Sequence, residues 1–344
     1  MTEIVTPKTI DTDDTQFDLT LRPESLEEYF GKGNIKPDLF KNLQIFLHAA
    51  RDRGEALEHV LFFGPPGLGK TTLAYILAKE LNSSVKITSG PAIERAGDLV
   101  SILTNLKDRD ILFIDEIHRL NKVIEETMYP AMENYEVDII LGKGPSARSI
   151  RLELPKVTIV GATTKIGNMS APLRDRFGMH YRLEFYEPAE LSHIVRRAAN
   201  LLSINITKSA SVKIAERSRG TPRIANRLLR RVRDFAQIHD HGEINEDVVQ
   251  EALELLQIDS YGLTSQDRTF LSLIANSFAG GPVGIETLAA AMSEDKGTLE
   301  DVVEPFLLQS GLIQRTPRGR ELTQLGHKHI GSISGQIQQS VFDN

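Results

Sequence analysis

The sequence predicts an α/β fold with a parallel sheet, followed by a helical region and a small domain of helices and one basic hairpin. Three observations predict this organisation. HVLFFGPPGLGKTTLAYILAKEL, residues 59–81, is typical of a buried strand, a glycine-rich turn and a helix. Further short apolar runs alternate with helical spacing up to about residue 183. Helical spacing then dominates until LIQRTPRGRELT, residues 312–323, which indicates a strand, a turn and a second strand.

Composition narrows the class of protein. A chain of 344 residues suits two or three domains, and its 40% hydrophobic and 25% charged residues are typical of globular proteins. No apolar run approaches the roughly 20 residues that a membrane-spanning helix needs. The absence of cysteine excludes disulfides and thiolate–metal sites. Because the first residues also lack a signal-peptide pattern, we expect a cytoplasmic protein without membrane contact.

Residues 64–71 match the phosphate-loop pattern G-x-x-x-x-G-K-[ST]. In that pattern glycines let backbone N–H groups surround phosphate oxygens, and the following helix adds its positive N-terminal end. We therefore expect Lys70 to reach the β- and γ-phosphates of ATP, and the Thr71 hydroxyl to bind Mg²⁺.

An acid pair follows the next apolar strand, in DILFIDEIHRL, residues 110–120. Acids at the carboxyl end of a parallel strand point into the crevice where such sheets bind ligands. Asp115 is expected to hold the Mg²⁺. Glu116 is expected to orient and deprotonate the attacking water, which favours hydrolysis over binding alone.

Three later segments add candidate residues. VTIVGATT, residues 157–164, ends in threonines that either sense the γ-phosphate or simply cap a strand. APLRDRFG, residues 171–178, holds Arg174 and Arg176, either of which could be solvated or could reach a neighbouring subunit's ATP. In SRGTPRIANRLLRRVRDFA, residues 218–236, Pro222 predicts a helix start with Arg223 in its first turn, where it could contact phosphate.

Two segments suggest contacts with other molecules. The net charge is −7, but basic residues cluster locally, as in the hairpin that carries Arg315, Arg318 and Arg320. These arginines could hold DNA phosphates or could be solvated. ILGKGPSARSIRLEL, residues 140–154, alternates like a β-hairpin. It does not fit a second phosphate loop, because Pro145 lacks an N–H to donate. It is either a plain surface hairpin or a docking site for another molecule.

The order of these motifs resembles the AAA+ ATPases. The segments LRPESLEEYFG, GPPGLGKTTLA, LFIDEIHRL, GKGPSARSIRLELP, GATT, PLRDRFG and RGTPRIANRLLRRVRDFA are similar to the RuvB family over roughly residues 18–330. The resemblance implies an ATP-dependent translocase that drives branch migration of Holliday junctions in homologous recombination, DNA repair and the SOS response. It also implies a homohexameric ring on double-stranded DNA that works with RuvA and, within the resolvase complex, with RuvC.

The resemblance implies domains and residue roles. The expected segments are a disordered acidic arm (1–17), an AAA+ large domain (18–183) with a hairpin at about 137–154, a helical lid (184–256), a winged helix (257–335) and a tail (336–344). The expected catalytic residues are Lys70, Asp115, Glu116, Thr164 and Arg176, with Thr71 and Asp115 on Mg²⁺. ATP contacts are expected at Leu21, Arg22, Gly67, Gly69, Lys70, Thr71, Thr72, Glu133, Asn134, Tyr135, Arg176, Tyr186 and Arg223. DNA contacts are expected at Arg315, Arg318 and Arg320, and a RuvA contact at Ile140, whose apolar side chain would face solvent on the hairpin.

The chain departs from the family pattern in two places. FGKGNIKPD stands where the family usually has Gly-Gln, which introduces Lys32. Lys165 stands where arginine is usual, which keeps the charge but loses bidentate geometry. Two other classes remain open from the residues: a clamp loader or replication initiator of the same superfamily, and a DNA-bound ATP switch that does not cycle.

Overall fold

The computed structural model describes residues 20–33, 35–141, 148–239 and 242–331, with the backbone alone at residues 32, 139–141 and 148. The chain divides into two compact units, with the boundary after Tyr186. Within the described ranges, no helix is both long and apolar enough to cross a membrane.

The first unit is built on a five-stranded parallel sheet in the order β2-β3-β6-β1-β7. Its strands are β1 (Val60–Phe63), β2 (Val85–Ser89), β3 (Ile111–Asp115), β6 (Thr158–Thr163) and β7 (Met179–Arg182). Its helices are α1 (Leu26–Tyr29), α2 (Pro37–Arg53), α3 (Lys70–Glu80), α4 (Ala96–Thr104), α5 (Lys122–Glu133) and α6 (Ala171–Arg174). The parallel α/β architecture predicted from the sequence is confirmed.

The central strands are apolar because helices cover both faces of the sheet. Every residue of β6 is buried, as are the first four of β3, and Leu61, Leu112 and Ile159 belong to one hydrophobic cluster. The strands are parallel, so the segments after β1, β3 and β6 leave the sheet at the same edge. We call this the carboxyl edge, and the opposite one the amino edge.

An antiparallel hairpin precedes β6. Strand β4 (Glu136–Leu141) pairs with β5 (Arg148–Glu153), and the residues between them lie outside the described part of the chain. The apolar positions become more exposed toward the tip: Val137 is fully buried, Leu152 is half-buried, and Ile150 is 44% exposed. Ile140 pairs with Ser149; its side chain is not among those described.

The second unit begins with four helices and continues into a smaller helical domain with a hairpin. The first four are α7 (Pro188–Leu201), α8 (Lys208–Glu216), α9 (Pro222–Ile238) and α10 (Glu246–Leu255). Then follow α11 (Ser265–Ser277), α12 (Ile285–Met292), a helical segment of three parts (Lys296–Thr298, Leu299–Val303, Glu304–Gln309), β8 (Ile313–Thr316) and β9 (Gly319–Leu322). Val283 pairs with Arg320 and so extends the hairpin. The helical region and the helix-and-hairpin domain agree with the predicted fold class.

A buried ion pair joins the two halves of the second unit. Arg219, just before α9, bonds to Asp267 of α11, and their side chains are 4% and 2% exposed. Arg219 also donates to the carbonyl oxygen of Gly262 at 2.9 Å, and its guanidinium lies 4.5 Å from the ring centre of Phe306. Asp267 accepts two more hydrogen bonds, from the backbone and the hydroxyl of Thr264.

Candidate functional site

The phosphate loop connects β1 to α3 at the carboxyl edge, and two of its glycines occupy conformations that other residues avoid. Gly64 has φ 144°, and a Cβ there would lie 2.1 Å from the carbonyl oxygen of Leu183. Gly69 has φ 89°, and its Cβ would lie 2.9 Å from the Tyr29 hydroxyl. These positions therefore need glycine. The ammonium of Lys70, the first residue of α3, donates to the carbonyl oxygens of Gly64 at 2.9 Å and Pro65 at 2.8 Å.

The hydroxyls of Tyr29 and Tyr186 form a chain of hydrogen bonds to the phosphate loop. Only Tyr186 was predicted from the sequence as a site residue. The Tyr29 hydroxyl donates to the carbonyl oxygen of Leu68 at 2.9 Å, and the Tyr186 hydroxyl donates to that of Tyr29 at 2.9 Å. Burial raises the pKa of Tyr29, although the bond from Tyr186 works against the shift. The Tyr29 phenol therefore stays protonated and acts as a donor. No sequence signal beyond an aromatic residue at a helix end pointed to Tyr29.

Three of the expected ATP contacts, Leu21, Arg22 and Tyr186, lie on the same unit as the phosphate loop. Leu21 is buried, and the guanidinium of Arg22 lies 4.3 Å from the ring centre of Tyr75 on α3. The ammonium of Lys36 lies 5.0 Å from the ring centre of Tyr186. Leu21, Arg22 and Tyr186 thus lie on elements that contact the phosphate loop or the helix that follows it.

The acid pair and the sensor threonine come together at the carboxyl edge, because β3 and β6 are neighbours. The Thr164 hydroxyl lies 3.5 Å from Glu116 Oε1. Asp115 Oδ1 accepts the backbone N–H of Glu116 at 2.9 Å. Glu116 has φ 49°, a left-handed conformation that turns the chain sharply after β3.

His118 also lies beside Glu116, and the sequence analysis assigned it no role. Its Nε2 is 3.5 Å from Glu116 Oε2, and its Nδ1 is 2.9 Å from Thr163 Oγ1. Its side chain is only 6% exposed. Burial lowers the pKa of His118, and the nearby Glu116 carboxylate only partly opposes that shift. The imidazole is therefore neutral near pH 7.

Arg176 and the 133–135 segment lie at the amino edge. Met179, the first residue of β7, donates its N–H to the carbonyl oxygen of His59, just before β1, and His59 Nε2 is 3.0 Å from the carbonyl oxygen of Met132. Arg176 pairs with Glu133 at 2.8 Å.

The guanidinium of Arg176 has further contacts within this edge. It lies 4.1 Å from the ring centre of Tyr129 and donates through Nη1 to the carbonyl oxygen of Pro172. Its Nε–H is buried without a hydrogen-bond acceptor in the described part of the chain. A strand of four residues is about 13 Å long, so Arg176 and the phosphate loop lie at opposite ends of β1.

Arg223 and the three hairpin arginines belong to the second unit. Pro222 is the first residue of α9, so Arg223 lies in its first turn. In the hairpin, the forks of Arg315 and Arg320 both bind Glu304, at 2.7 to 2.9 Å. Glu304 is fully buried and Arg320 is 13% exposed, whereas Arg318 lies exposed in the turn. Burial would raise the pKa of Glu304, but the two arginines outweigh it and lower the pKa.

The chain matches three family models in succession. The Holliday junction DNA helicase RuvB P-loop domain matches residues 21–183, the RuvB AAA lid domain matches residues 186–259, and the RuvB C-terminal winged helix domain matches residues 260–331.

Solved structures agree with these matches. The Thermotoga maritima RuvB Holliday junction branch migration motor is 47% identical over 91% of this chain and 98% of that chain, with a TM-score of 0.79. A lysine-to-arginine mutant of the same protein is 47% identical over 90% of this chain and 98% of that chain, with a TM-score of 0.80. The Aeropyrum pernix ORC2 protein is 16% identical over 88% of this chain and 94% of that chain, with a TM-score of 0.50, which shows the fold alone.

Proposed function

We propose, because the chain belongs to the RuvB family, that its ATPase site forms between two copies, from the carboxyl edge of one and the amino edge of the next. The chain is an ATP-driven motor that migrates Holliday junctions, and it binds nucleotide through its P-loop domain and DNA as its substrate. The proposal concerns which residues carry that activity, which metal they use, and how copies and partners assemble. A cytoplasmic location remains a prediction from composition.

The carboxyl edge supplies the residues that bind and cleave ATP. Lys70, now held by two loop carbonyls, moves to the β- and γ-phosphates. Glu116 orients and deprotonates the attacking water, and Thr164 reports the γ-phosphate. The same copy supplies further ATP contacts, at Leu21, Arg22, Gly67, Gly69, Thr72 and Tyr186, and Arg223 stays a predicted ATP contact.

Thr71 and Asp115 fit a Mg²⁺ ion. A hydroxyl and a carboxylate are hard oxygen ligands, and Mg²⁺ in such sites is held by one or two side chains, waters and phosphate oxygens. The described residues contain no cluster of three or more His, Cys, Asp or Glu that could form a separate metal site. When bound there, Mg²⁺ would neutralise the negative charge that develops on the phosphates during hydrolysis.

The position of Arg176 is the observation that carries the proposal. It lies at the amino edge, a full strand length from the phosphate loop of its own chain. Its guanidinium can therefore stabilise transition-state charge on ATP only if that ATP is bound to another copy. Glu133, Asn134 and Tyr135 lie at this edge as well, and we assign them to the neighbour's nucleotide. Sites shared in this way close a homohexameric ring around DNA.

Variants of the Thermotoga protein give independent support. The variants replace a lysine, a threonine, an arginine and a proline. Their spacing in that chain equals the spacing of Lys70, Thr164, Arg176 and Pro222 in this one. Within the PLRDRFG segment, the substituted arginine of that protein corresponds to Arg176 rather than to Arg174.

A mixing experiment tests the shared site. Arg176→Ala should keep ATP binding and lose about 10³-fold or more in turnover, and Glu116→Gln should lose turnover for lack of a base. Mixing the two inactive variants should restore ATPase, because some interfaces then combine an intact Glu116 with an intact Arg176. Arg174→Ala is the matched control and should remain active. If the mixture stays as inactive as its components, Arg176 does not act between copies.

The hairpin and the winged helix supply the contacts with other molecules. RuvA docks on the β4–β5 hairpin, where Ile140 was the predicted contact and Ile150 is an additional exposed apolar residue on the opposite face. RuvC joins within the resolvase complex. Arg318, with Arg315 and Arg320 behind it, contacts DNA phosphates, so that the motor holds the backbone and reads no sequence.

Movement of a synthetic four-way junction, with and without RuvA, tests the assembly. ATP-dependent branch migration that RuvA stimulates is the expected result. Nucleotide hydrolysis with no junction movement under either condition would contradict it. Steady-state phosphate release on DNA separates a cycling motor from an ATP switch, and the winged helix in place of a helical collar argues against a clamp loader.

A further inference from the structure

His118 connects the proposed catalytic base to the end of the sensor strand β6. One ring nitrogen faces the Glu116 carboxylate at 3.5 Å, and the other lies 2.9 Å from the Thr163 hydroxyl oxygen. Thr163 is fully buried and immediately precedes the sensor threonine. A neutral imidazole, shielded from water, thus spans the gap between two catalytic segments.

The neighbouring groups favour one position for the ring proton. Glu116 Oε2, which faces Nε2, can only accept when the carboxylate is ionised, so the proton is favoured on Nε2. Nδ1 then accepts the hydroxyl proton of Thr163, whose Oγ1 also accepts the backbone N–H of Lys165 at 3.0 Å. In this arrangement the donors run in one direction, from the Lys165 backbone to the carboxylate.

The Glu116 side chain needs such support because little else restrains it. Its backbone is in a left-handed conformation at the end of β3, and its side chain is 35% exposed. Thr164 approaches Oε1 at 3.5 Å while His118 approaches Oε2 at the same distance. Groups on both oxygens fix the plane of the carboxylate, and hence the direction in which it can hold a water.

We infer that His118 is a positioning residue, which orients the Glu116 carboxylate and makes that orientation depend on the end of β6. This inference rests on the proposed role of Glu116 as the base. A neutral donor suits the task, because a protonated imidazole would form an ion pair with the carboxylate and weaken it as a base. A movement of Thr163 or Thr164 at the end of β6 would therefore change the contacts of both carboxylate oxygens of Glu116.

Substitution of His118 should change turnover rather than binding. His118→Leu should lower kcat about 10- to 100-fold, the cost of a misplaced catalytic group, while the ATP dissociation constant stays at the wild-type value. His118→Gln retains a nitrogen donor near the Nε2 position and should recover part of kcat. A merely structural histidine would show neither the separation of kcat from binding nor the recovery by glutamine.

His329 provides a control outside the proposed ATPase site. It is also buried, and its Nε2 lies 3.1 Å from Asp259 Oδ2 in the second unit. His329→Leu should lower thermal stability, as His118→Leu does, yet leave kcat per folded protein unchanged. Equal loss of kcat in both variants would mean that His118 acts through stability alone.

A double-mutant cycle tests the link to β6. Thr163→Val keeps the shape of the side chain but removes the hydroxyl, and it should lower kcat by itself. If His118 works through this hydroxyl, the double variant Thr163→Val, His118→Leu should be no slower than the single His118→Leu variant. Multiplied losses would overturn the connection.

Glu116→Gln, measured alongside, separates this inference from the function proposed above. Turnover that survives Glu116→Gln would refute the base assignment itself. Turnover lost in Glu116→Gln but unchanged in His118→Leu would refute only the positioning role.

Discussion

Replacing Arg219 by methionine should destabilise the second unit, because it leaves a buried carboxylate without its cation. Arg219 and Asp267 are almost entirely buried, and removing one partner of such a pair typically costs about 3–5 kcal/mol. Asp267 would keep the two hydrogen bonds from Thr264, at 2.7 and 2.6 Å. We therefore expect the lower end of that range, about 3 kcal/mol. Methionine keeps an apolar stem against Phe306, so the packing is retained while the charge and the hydrogen bond to the Gly262 carbonyl are lost.

Thermal unfolding of the full chain measures this effect. For a unit of this size, about 3 kcal/mol should lower the unfolding midpoint of the corresponding transition by about 6–12 °C. Asp267→Asn should be destabilising too, and the double variant should be more stable than the two single losses predict, since the unpaired charge is gone. Lys296→Met, which breaks an exposed pair with Glu286, is the control and should leave the midpoint unchanged. A midpoint for Arg219→Met equal to that of this control would refute the reasoning.

Three further predictions concern the hairpins and the phosphate loop. The pKa of Glu304 is lowered in the folded chain, so its contribution to stability is present above the ordinary carboxyl pKa and is lost as pH falls through the lowered value. Glu304→Gln should abolish this acid-dependent part of the unfolding midpoint. An unaltered pH profile of the midpoint would contradict the prediction. Ile140→Asp should weaken RuvA-stimulated branch migration while basal ATPase is kept, and equal loss of both would make the hairpin structural. Tyr29→Phe removes the buried bond to the phosphate loop, so the ATP dissociation constant should rise by up to about tenfold, given roughly 0.5–1.5 kcal/mol for one such bond; isothermal titration with ATP checks it, and wild-type affinity would remove Tyr29 from the site.

Much of the carboxyl edge could be predicted because its residues follow their strands directly. The phosphate loop, its lysine and its helix are contiguous in the chain, and parallel pairing alone carries the acid pair and the sensor threonine to one edge. A role for His118 could have been predicted, since it lies two residues after Glu116 in the same motif. Tyr29 gave none, because its contact with Leu68 joins residues that are distant in the chain.

The distribution of charged residues in the sequence predicted side-chain contacts less well than the order of the strands did. The hairpin arginines were expected to face phosphates, because basic residues in a turn are typical of DNA contacts. The structure instead brings two of their forks to Glu304, which belongs to a helical segment whose neighbours Val303 and Leu307 are buried. Sequence spacing did not reveal that a carboxylate lies inside this apolar face. In the same way, no local pattern pairs Arg219 with Asp267 across 48 positions.

If the hairpin holds DNA as proposed, the carboxylates behind it limit how tightly one copy binds. Arg315 and Arg320 lie against Glu304, and Arg320 is also 3.7 Å from Glu300, so their charges are largely balanced within the protein, and Arg318 extends beyond them. A contact that neutralises few phosphates releases few counterions, and it is weak at physiological salt. Several such contacts on one duplex still bind firmly together, since each holds the next at high effective concentration. In the proposed ring, weak single contacts from several copies would allow any one copy to release the DNA and take a new position while the others retain it.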